Sequence, residues 1–400
     1  MRVGIEKLRA WPSTLALDLG ALAEARGVDP TYPRESLMTR ERSVMPPWED
    51  PVTMAVNAAA PLIDDVDRGR IELLIVATET GVDLEKPISS WVHRFLELPS
   101  SCRNFELKHA CYSGTAALMM AASHLSSPFA SPDGKALVVA TDASLLGIGE
   151  PYEYVLGAGA AAALVSRTPR FLALHPRHRG VYASEVTDVI RPTGRVETGN
   201  SETSLFSYLE AVDGTFDALE AVTGPTDYRS AYDRHLYHAP FGGITFRAHK
   251  RVLGRSADVD KASAWEDYER RVRPSLHHAR RIGGTYGGSL FMGMLGLTSA
   301  DDALPDEASL CVFSYGSGSC AEAYEARLGP QAKAIGAQAG LARLLDARER
   351  IDVETYERLE RERADAWGQP DYTPREIFSP SPGLLALRAV RGFVREYGWT

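Results

Sequence analysis

The sequence predicts an α/β fold in which strands buried on both faces alternate with covering helices. Three observations predict it. Apolar runs ending in small or polar residues recur at "IELLIVATET" (71–80), "GKALVVATDAS" (134–144), "GAGAAAALVS" (157–166) and "ASLCVFSYGSGS" (308–319). Strands shielded on both faces read as such continuous runs. Helical patterns lie between the runs, and 400 residues suffice for two or three domains or one large duplicated α/β unit.

In chain order, "DPVTMAVNAAAPLIDDV" (50–66) is a helix preceding the first strand. "CYSGTAALMMAASHLSS" (111–127) is a helix between the first two strands: Gly114 keeps its turn slim, and "TAALMMAA" consists of residues that favour a helix. "TSLFSYLEAVDGTFDALEAV" (203–222) supplies a third helix after the strand at 157–166. The strand endings "VATET" and "FSYGSGS" deliver polar or small residues just beyond apolar runs, which is where open α/β sheets place ligands. "GQPDYTPREIFSPSPG" (368–383) is Pro-rich and expected to be irregular, and "LLALRAVRGFVREYGWT" closes the chain as a strand.

A composition of 44% hydrophobic and 24% charged residues, with no apolar run long enough to cross a bilayer, describes a soluble globular protein. "MRVGIEKLRA" has neither the apolar centre nor the cleavage site of a secretory signal, so a cytoplasmic protein is expected. A net charge of −9 argues against general binding to nucleic acid or anionic membrane, both of which need a positive surface. Cys102, Cys111, Cys311 and Cys320 lack the short paired spacings of a zinc site and are too few for a disulfide scaffold. Free thiols and no metal site are expected.

Cys111 falls at or just before the first turn of its helix, where backbone N–H groups and the helix dipole favour negative charge, so an accessible thiolate near neutral pH is expected. A nucleophile also needs a base and an oxyanion site. "RHLYHAPFGG" (234–243) places His235 and His238 ahead of a Pro-Phe-Gly-Gly loop, and "FSYGSGS" supplies backbone N–H groups for a thioester oxygen, at Gly316 and Ser317. Glu79 ends an apolar strand, where desolvation raises a carboxylate's pKa toward the range useful for general acid-base work.

Taken in order, "VGIEKL", "LAEARGVDP", "ATETGVDLEKP", "ELKHACYSGTAAL", "GAGAAAALVS", "DVIRPTGR", "YHAPFGG", "GGTYGGSL" and "FSYGSGS" resemble the 3-hydroxy-3-methylglutaryl-CoA synthase family of the thiolase-like superfamily, over most of the chain. "LMTRERSVMPPWEDPVTMAVNAAAPLI", "PFGGITFRAHK" and the ending "VREYGWT" are similar to the branch that installs β-branches on polyketide chains held by carrier proteins. The primary-metabolism branch typically carries lysines soon after the Pro-Phe pair, where Gly242 and Gly243 stand here.

The resemblance implies duplicated βαβαβαββ halves in a five-layer αβαβα arrangement, usually a homodimer across a sheet edge. The halves would be residues 1–170, carrying Glu79 and Cys111, and 171–400, carrying His238 and the "FSYGSGS" loop. It maps the family's catalytic triad onto Glu79, Cys111 and His238. His235 becomes a group behind the site or at the surface, and His109, His277 and His278 become packing or solvent-facing groups. Gly284 departs from the family, which has an asparagine there holding the acceptor thioester. Glycine offers a backbone N–H but no side-chain donor, so either Thr285, Tyr286 or water substitutes, or the acceptor sits differently.

The implied reaction is acyl transfer from a donor acyl carrier protein to Cys111, with the N–H groups of Cys111 and Ser317 facing the oxyanion. Aldol addition to a β-ketoacyl chain on an acceptor carrier protein follows, and then hydrolysis. The substrates ride on phosphopantetheine, with no bound cofactor. Arg247, Lys250, Arg251 and Arg255 form the expected basic rim for acidic carrier proteins. Two alternatives stand beside this: a primary-metabolism synthase using acetyl-CoA and acetoacetyl-CoA, and a non-catalytic ketosynthase-like partner subunit.

Overall fold

The computed structural model describes residues 2–144, 148–193, 196–375 and 378–400. Nine strands form one continuous order. In chain order they are β1 (Gly4–Trp11), β2 (Ile71–Ala77), β3 (Arg103–Leu107), β4 (Lys135–Ala143), β5 (Ala158–Ser166), β6 (Leu172–Ala183), β7 (Arg234–Tyr237), β8 (Ser309–Gly316) and β9 (Cys320–Leu328). In space they run β7-β8-β9-β6-β1-β5-β4-β2-β3. The four expected apolar runs become β2, β4, β5 and β8.

Strand directions repeat between the two sides. β1 pairs antiparallel with β5, β5 antiparallel with β4, and β4 parallel with β2. On the other side β6 pairs antiparallel with β9, β9 antiparallel with β8, and β8 parallel with β7. β1 and β6 meet antiparallel at Gly4–Ala173 and Ile5–Leu172, which joins the two sides.

Period-two alternation sorts each strand between two cores. In β2, Leu73 and Ile75 enter a central core while Leu74 and Val76 enter an outer one. In β8, Leu310 and Val312 face the centre, and Cys311, Phe313 and Tyr315 face the opposite outer core. Five helices complete the layers: α1 (Pro51–Ala59), α2 (Ser113–Ser126), α3 (Ser201–Thr223), α4 (Gly242–Leu253) and α5 (Ser289–Ala300). α1 covers one outer face and α3 with α4 the other, while Leu118 and Ala121 of α2 share the central core with Phe291 and Leu295 of α5. This is the thiolase-like αβαβα order.

Two expected elements differ from the sequence reading. The helix at 50–66 ends at Ala59 and continues as a short 3-10 turn, because Pro61 cannot donate to the helical ladder. Its start is as expected, with Asp50 and Thr53 forming a reciprocal cap ahead of Pro51. The final segment is a hairpin rather than one strand, Leu385–Arg391 against Val394–Trp399, since Gly392 and Phe393 turn the chain with positive φ. Of the irregular stretch at 368–383, residues 376–377 lie outside the described residues.

Candidate active site

Glu79 leaves the end of β2, and Asp142 stands near the end of the neighbouring β4, where Ala77 is paired with Ala140. Asp142 Oδ1 accepts from the Glu79 backbone N–H at 2.9 Å, from Thr78 Oγ1 at 2.9 Å and from Thr80 Oγ1 at 2.8 Å, which fixes the turn presenting Glu79. Glu79 Oε2 and Asp142 Oδ2 are buried with no hydrogen-bond partner among the described residues. Burial, and then the Asp142 charge, push the Glu79 carboxyl well above the usual carboxylate range. Asp142 is pushed up by the same burial.

Cys111 sits two residues before α2. Ala110 precedes it with φ 40°, and the first helical turn has no side-chain cap. The expectation of an accessible thiolate is corrected here. Burial raises the Cys111 thiol well above its ordinary value, and the charges of Glu79 and Asp142 raise it further. A helix N-terminus favours an anion by about 0.3–1 kcal/mol at an exposed site and up to ~2 kcal/mol where partly buried, against ~1.4 kcal/mol for each pKa unit by which burial raises the thiol.

β8 ties the cysteine turn to His238. The His238 N–H donates to Phe313 O at 2.7 Å, while a Cβ on Gly316, at the end of the same strand, would lie 2.6 Å from Tyr112 N and 2.7 Å from His109 O. Only glycine allows that approach. Tyr208 Oη donates to the His238 carbonyl at 2.8 Å, and Nε2 of the ring is buried without a partner among the described residues. Burial lowers the His238 pKa to about 3, so the imidazole is neutral. Ser317 lies in the turn after Gly316, which Asp188 Oδ1 anchors by accepting from the Gly318 N–H at 3.1 Å.

The segment 284–288 touches all three parts. Gly287 O would lie 2.1 Å from a Cβ on Gly114 of α2, Pro240 O of the His238 loop 3.0 Å from one on Gly284, and Ala140 O of β4 4.0 Å from one on Gly288. The notion that Gly284 offers its N–H to an acceptor is corrected: that N–H donates to Val155 O at 2.7 Å, and Gly284 O accepts from Gly157 N at 3.0 Å. Thr285 Oγ1 and Tyr286 Oη are buried without partners among the described residues. Of the groups expected to serve the acceptor, these two keep an unused side-chain hydroxyl.

Other expectations sort clearly. His235 belongs to the outer core, with Nε2 3.0 Å from Tyr228 O and the ring stacked on Tyr237, so it is neither surface nor adjacent to the cysteine. His278 is buried with Nε2 2.8 Å from Ser299 Oγ, His277 is exposed, and His109 packs edge-on to Tyr112. All four cysteines are free thiols. The basic rim is reduced to two groups. Arg251 is paired with Asp213 and Arg255 with Asp217 and Glu220, all three carboxylates on α3, which leaves Arg247 and Lys250 as its exposed cations without a carboxylate partner among the described residues.

Sequence reasoning missed Asp142, Asp188, Arg191 and Glu322. Arg191 is ion-paired with Glu197 and lies 5.9 Å from the Tyr286 ring centre, with Nη1 buried and unpartnered among the described residues. Glu322 Oε2 accepts from Tyr112 Oη at 2.8 Å. Asp142 had a signal: "VATE" and "VATD" end two apolar runs alike, and the runs are neighbouring strands.

Comparisons with known proteins assign the family and the fold. The family model for the hydroxymethylglutaryl-coenzyme A synthase C terminal matches residues 255–397. The chain is 35% identical to the polyketide biosynthesis 3-hydroxy-3-methylglutaryl-ACP synthase PksG of Bacillus subtilis, over 99% of each chain. It is 32% identical to the hydroxymethylglutaryl-CoA synthase of Enterococcus faecalis, over 91% of this chain and 93% of that one. The curacin biosynthetic pathway HMG synthase, solved in complex with holo donor-ACP, superposes with a TM-score of 0.95 at 36% identity over 100% of both chains. This chain therefore belongs to the hydroxymethylglutaryl-CoA synthase family.

Proposed function

We propose that the protein is a synthase of polyketide β-branching that condenses an acetyl group from a donor acyl carrier protein with a β-ketoacyl chain on an acceptor carrier protein. The observation that carries this is the set of unpartnered buried atoms on the segments that meet at the Cys111 turn: Glu79 Oε2, His238 Nε2, Thr285 Oγ1 and Tyr286 Oη. Buried polar atoms ordinarily find partners, and a substrate supplies them here. The branch assignment rests on likeness to PksG and to the curacin enzyme solved with its donor carrier.

Cys111 Sγ attacks the acetyl thioester. Its proton passes by way of neutral His238 to the departing pantetheine thiolate, while the N–H groups of Cys111 and Ser317 face the oxyanion. Glu79 then removes a proton from the acetyl methyl. A buried carboxylate is a stronger base once ionised, which suits so weak a carbon acid. The enolate adds to the acceptor ketone, with Thr285 and Tyr286 near it in place of the family asparagine. The new alkoxide takes the proton that Glu79 removed from the methyl, and water cleaves the Cys111 thioester to leave a 3-hydroxy-3-carboxymethyl acyl chain on its carrier. Arg247 and Lys250 of α4 are the cations offered to an acidic carrier, and the working unit is a homodimer.

Intact-protein mass spectrometry tests this. Acetyl carrier protein should acetylate Cys111 rapidly and Cys111→Ser not at all, with acetyl-CoA much slower. Acetylation from acetyl-CoA alone would move the enzyme to free CoA substrates, and none from either would remove the catalytic role.

A further inference from the structure

Away from the candidate active site, β6 and β9 depart from regular pairing. Arg179 stands opposite Tyr324 and Leu174 opposite Ala326, so between these pairs β9 contributes only Glu325 while β6 contributes His175, Pro176, Arg177 and His178. In a regular strand, residues three apart point to opposite faces. Four residues against one make a bulge, which re-aims side chains. It brings both imidazoles together beside one carboxylate.

The His175 and His178 ring centres are 3.5 Å apart, and His178 Nδ1 lies 2.6 Å from Glu325 Oε2. One ligand atom from each of the three residues lies within 4.8 Å of the others. Glu325 Oε1 accepts a hydrogen bond from Tyr232 Oη, the type of outer contact that orients a metal-bound carboxylate. His175 Nδ1 accepts from the His178 N–H at 3.1 Å, a bond that a metal at that nitrogen would replace. His175 is exposed while His178 and Glu325 are half-buried, so one side is open to water.

We propose that His175, His178 and Glu325 bind a divalent transition-metal ion of the zinc class. Two imidazoles and a carboxylate are a donor set such ions favour, with water in the fourth position. Around a tetrahedral ion with bonds of about 2.0–2.1 Å, donors stand roughly 3.3 Å apart. The His178–Glu325 contact therefore opens slightly as the ion takes the place of the hydrogen between them, and the imidazole binds through Nδ1 with its proton on Nε2. The ion would clasp β6 to β9. It would take no part in the chemistry at Cys111, because Glu325 lies five residues along β9 from Cys320, beyond the Ser317 turn.

The test is titration of the chelator-stripped, full-length protein with zinc chloride, read by competition with a chromogenic chelator. One saturable equivalent is expected, weakened at least tenfold in His175→Ala and in His178→Ala, with unchanged acetylation of Cys111 by acetyl carrier protein. Cobalt(II) should give intense tetrahedral d–d bands that the same variants lose. His175 is exposed, so His175→Ala remains informative if His178→Ala misfolds. Absence of saturable binding overturns the proposal. So does zinc binding equal in both histidine variants but lost in Cys111→Ser, which would place the ion on the active-site thiol.

Discussion

At Cys111 two influences oppose each other on one sulfur. The start of α2 favours the thiolate, while burial beside Glu79 and Asp142 favours the thiol, and the second is the larger. Nucleophilicity therefore arises when a neutral imidazole takes the proton, rather than from a standing thiolate. Iodoacetamide should modify Cys111 slowly at pH 7, with the rate rising roughly tenfold per pH unit from 7 to 9, because only the thiolate reacts. A pH-independent rate over that range, followed by mass spectrometry, would mean that the thiol is already ionised. At Gly284 the backbone closes on the residue, with carbonyls of Pro240 and Val155 at 3.0 and 3.2 Å from a Cβ position. An asparagine there would have to displace main chain, so the hydroxyls of Thr285 and Tyr286 are the alternative this chain offers.

The entry to α1 shows how an element can carry a pH dependence. Glu49, just ahead of the cap, accepts from Trp11 Nε1 at 2.7 Å and from Ser13 Oγ, and burial raises its pKa to about 7. A carboxyl raised this way stabilises the fold fully below its unfolded pKa, and that contribution fades as pH climbs from about 4.5 to 7, by roughly 3 kcal/mol. Glu49→Gln should flatten this decline when urea unfolding is compared at pH 5 and pH 8; an unchanged slope would mean Glu49 ionises normally. Elements with strong local signals were legible in the sequence: four buried runs, the start of α1 at Asp50, and the helix behind Cys111. Side-chain groupings that depend on pairing between distant strands were not. Asp142 acts through its position beside β2, Arg251 and Arg255 are paired with α3, and His175 and His178 converge only because β6 bulges against Glu325.

Across the whole molecule, the proposed triad is divided between two sides that share one central core. Glu79 and Cys111 come from the β1–β5 side, and His238 and the 284–288 segment from the β6–β9 side. α2 meets the segment leading into α5 at a contact that helps set their relative position, Gly114 against Gly287 O, where a Cβ would lie at 2.1 Å. Nothing flexible stands on either side of that contact, since both atoms belong to main chain or its immediate substituent. Gly114→Ala must therefore push α2 and the 284–288 segment apart. Overpacking of this kind costs about 1–3 kcal/mol, measurable as a lower urea midpoint at unchanged slope. The catalytic loss should exceed the stability loss, because a displacement near 1 Å between reacting groups can cost about a hundredfold in rate. Acetylation of Cys111, which draws on groups from both sides, should slow in the folded variant. Full activity at reduced stability would show instead that the two sides can separate slightly without disturbing Glu79, Cys111 and His238.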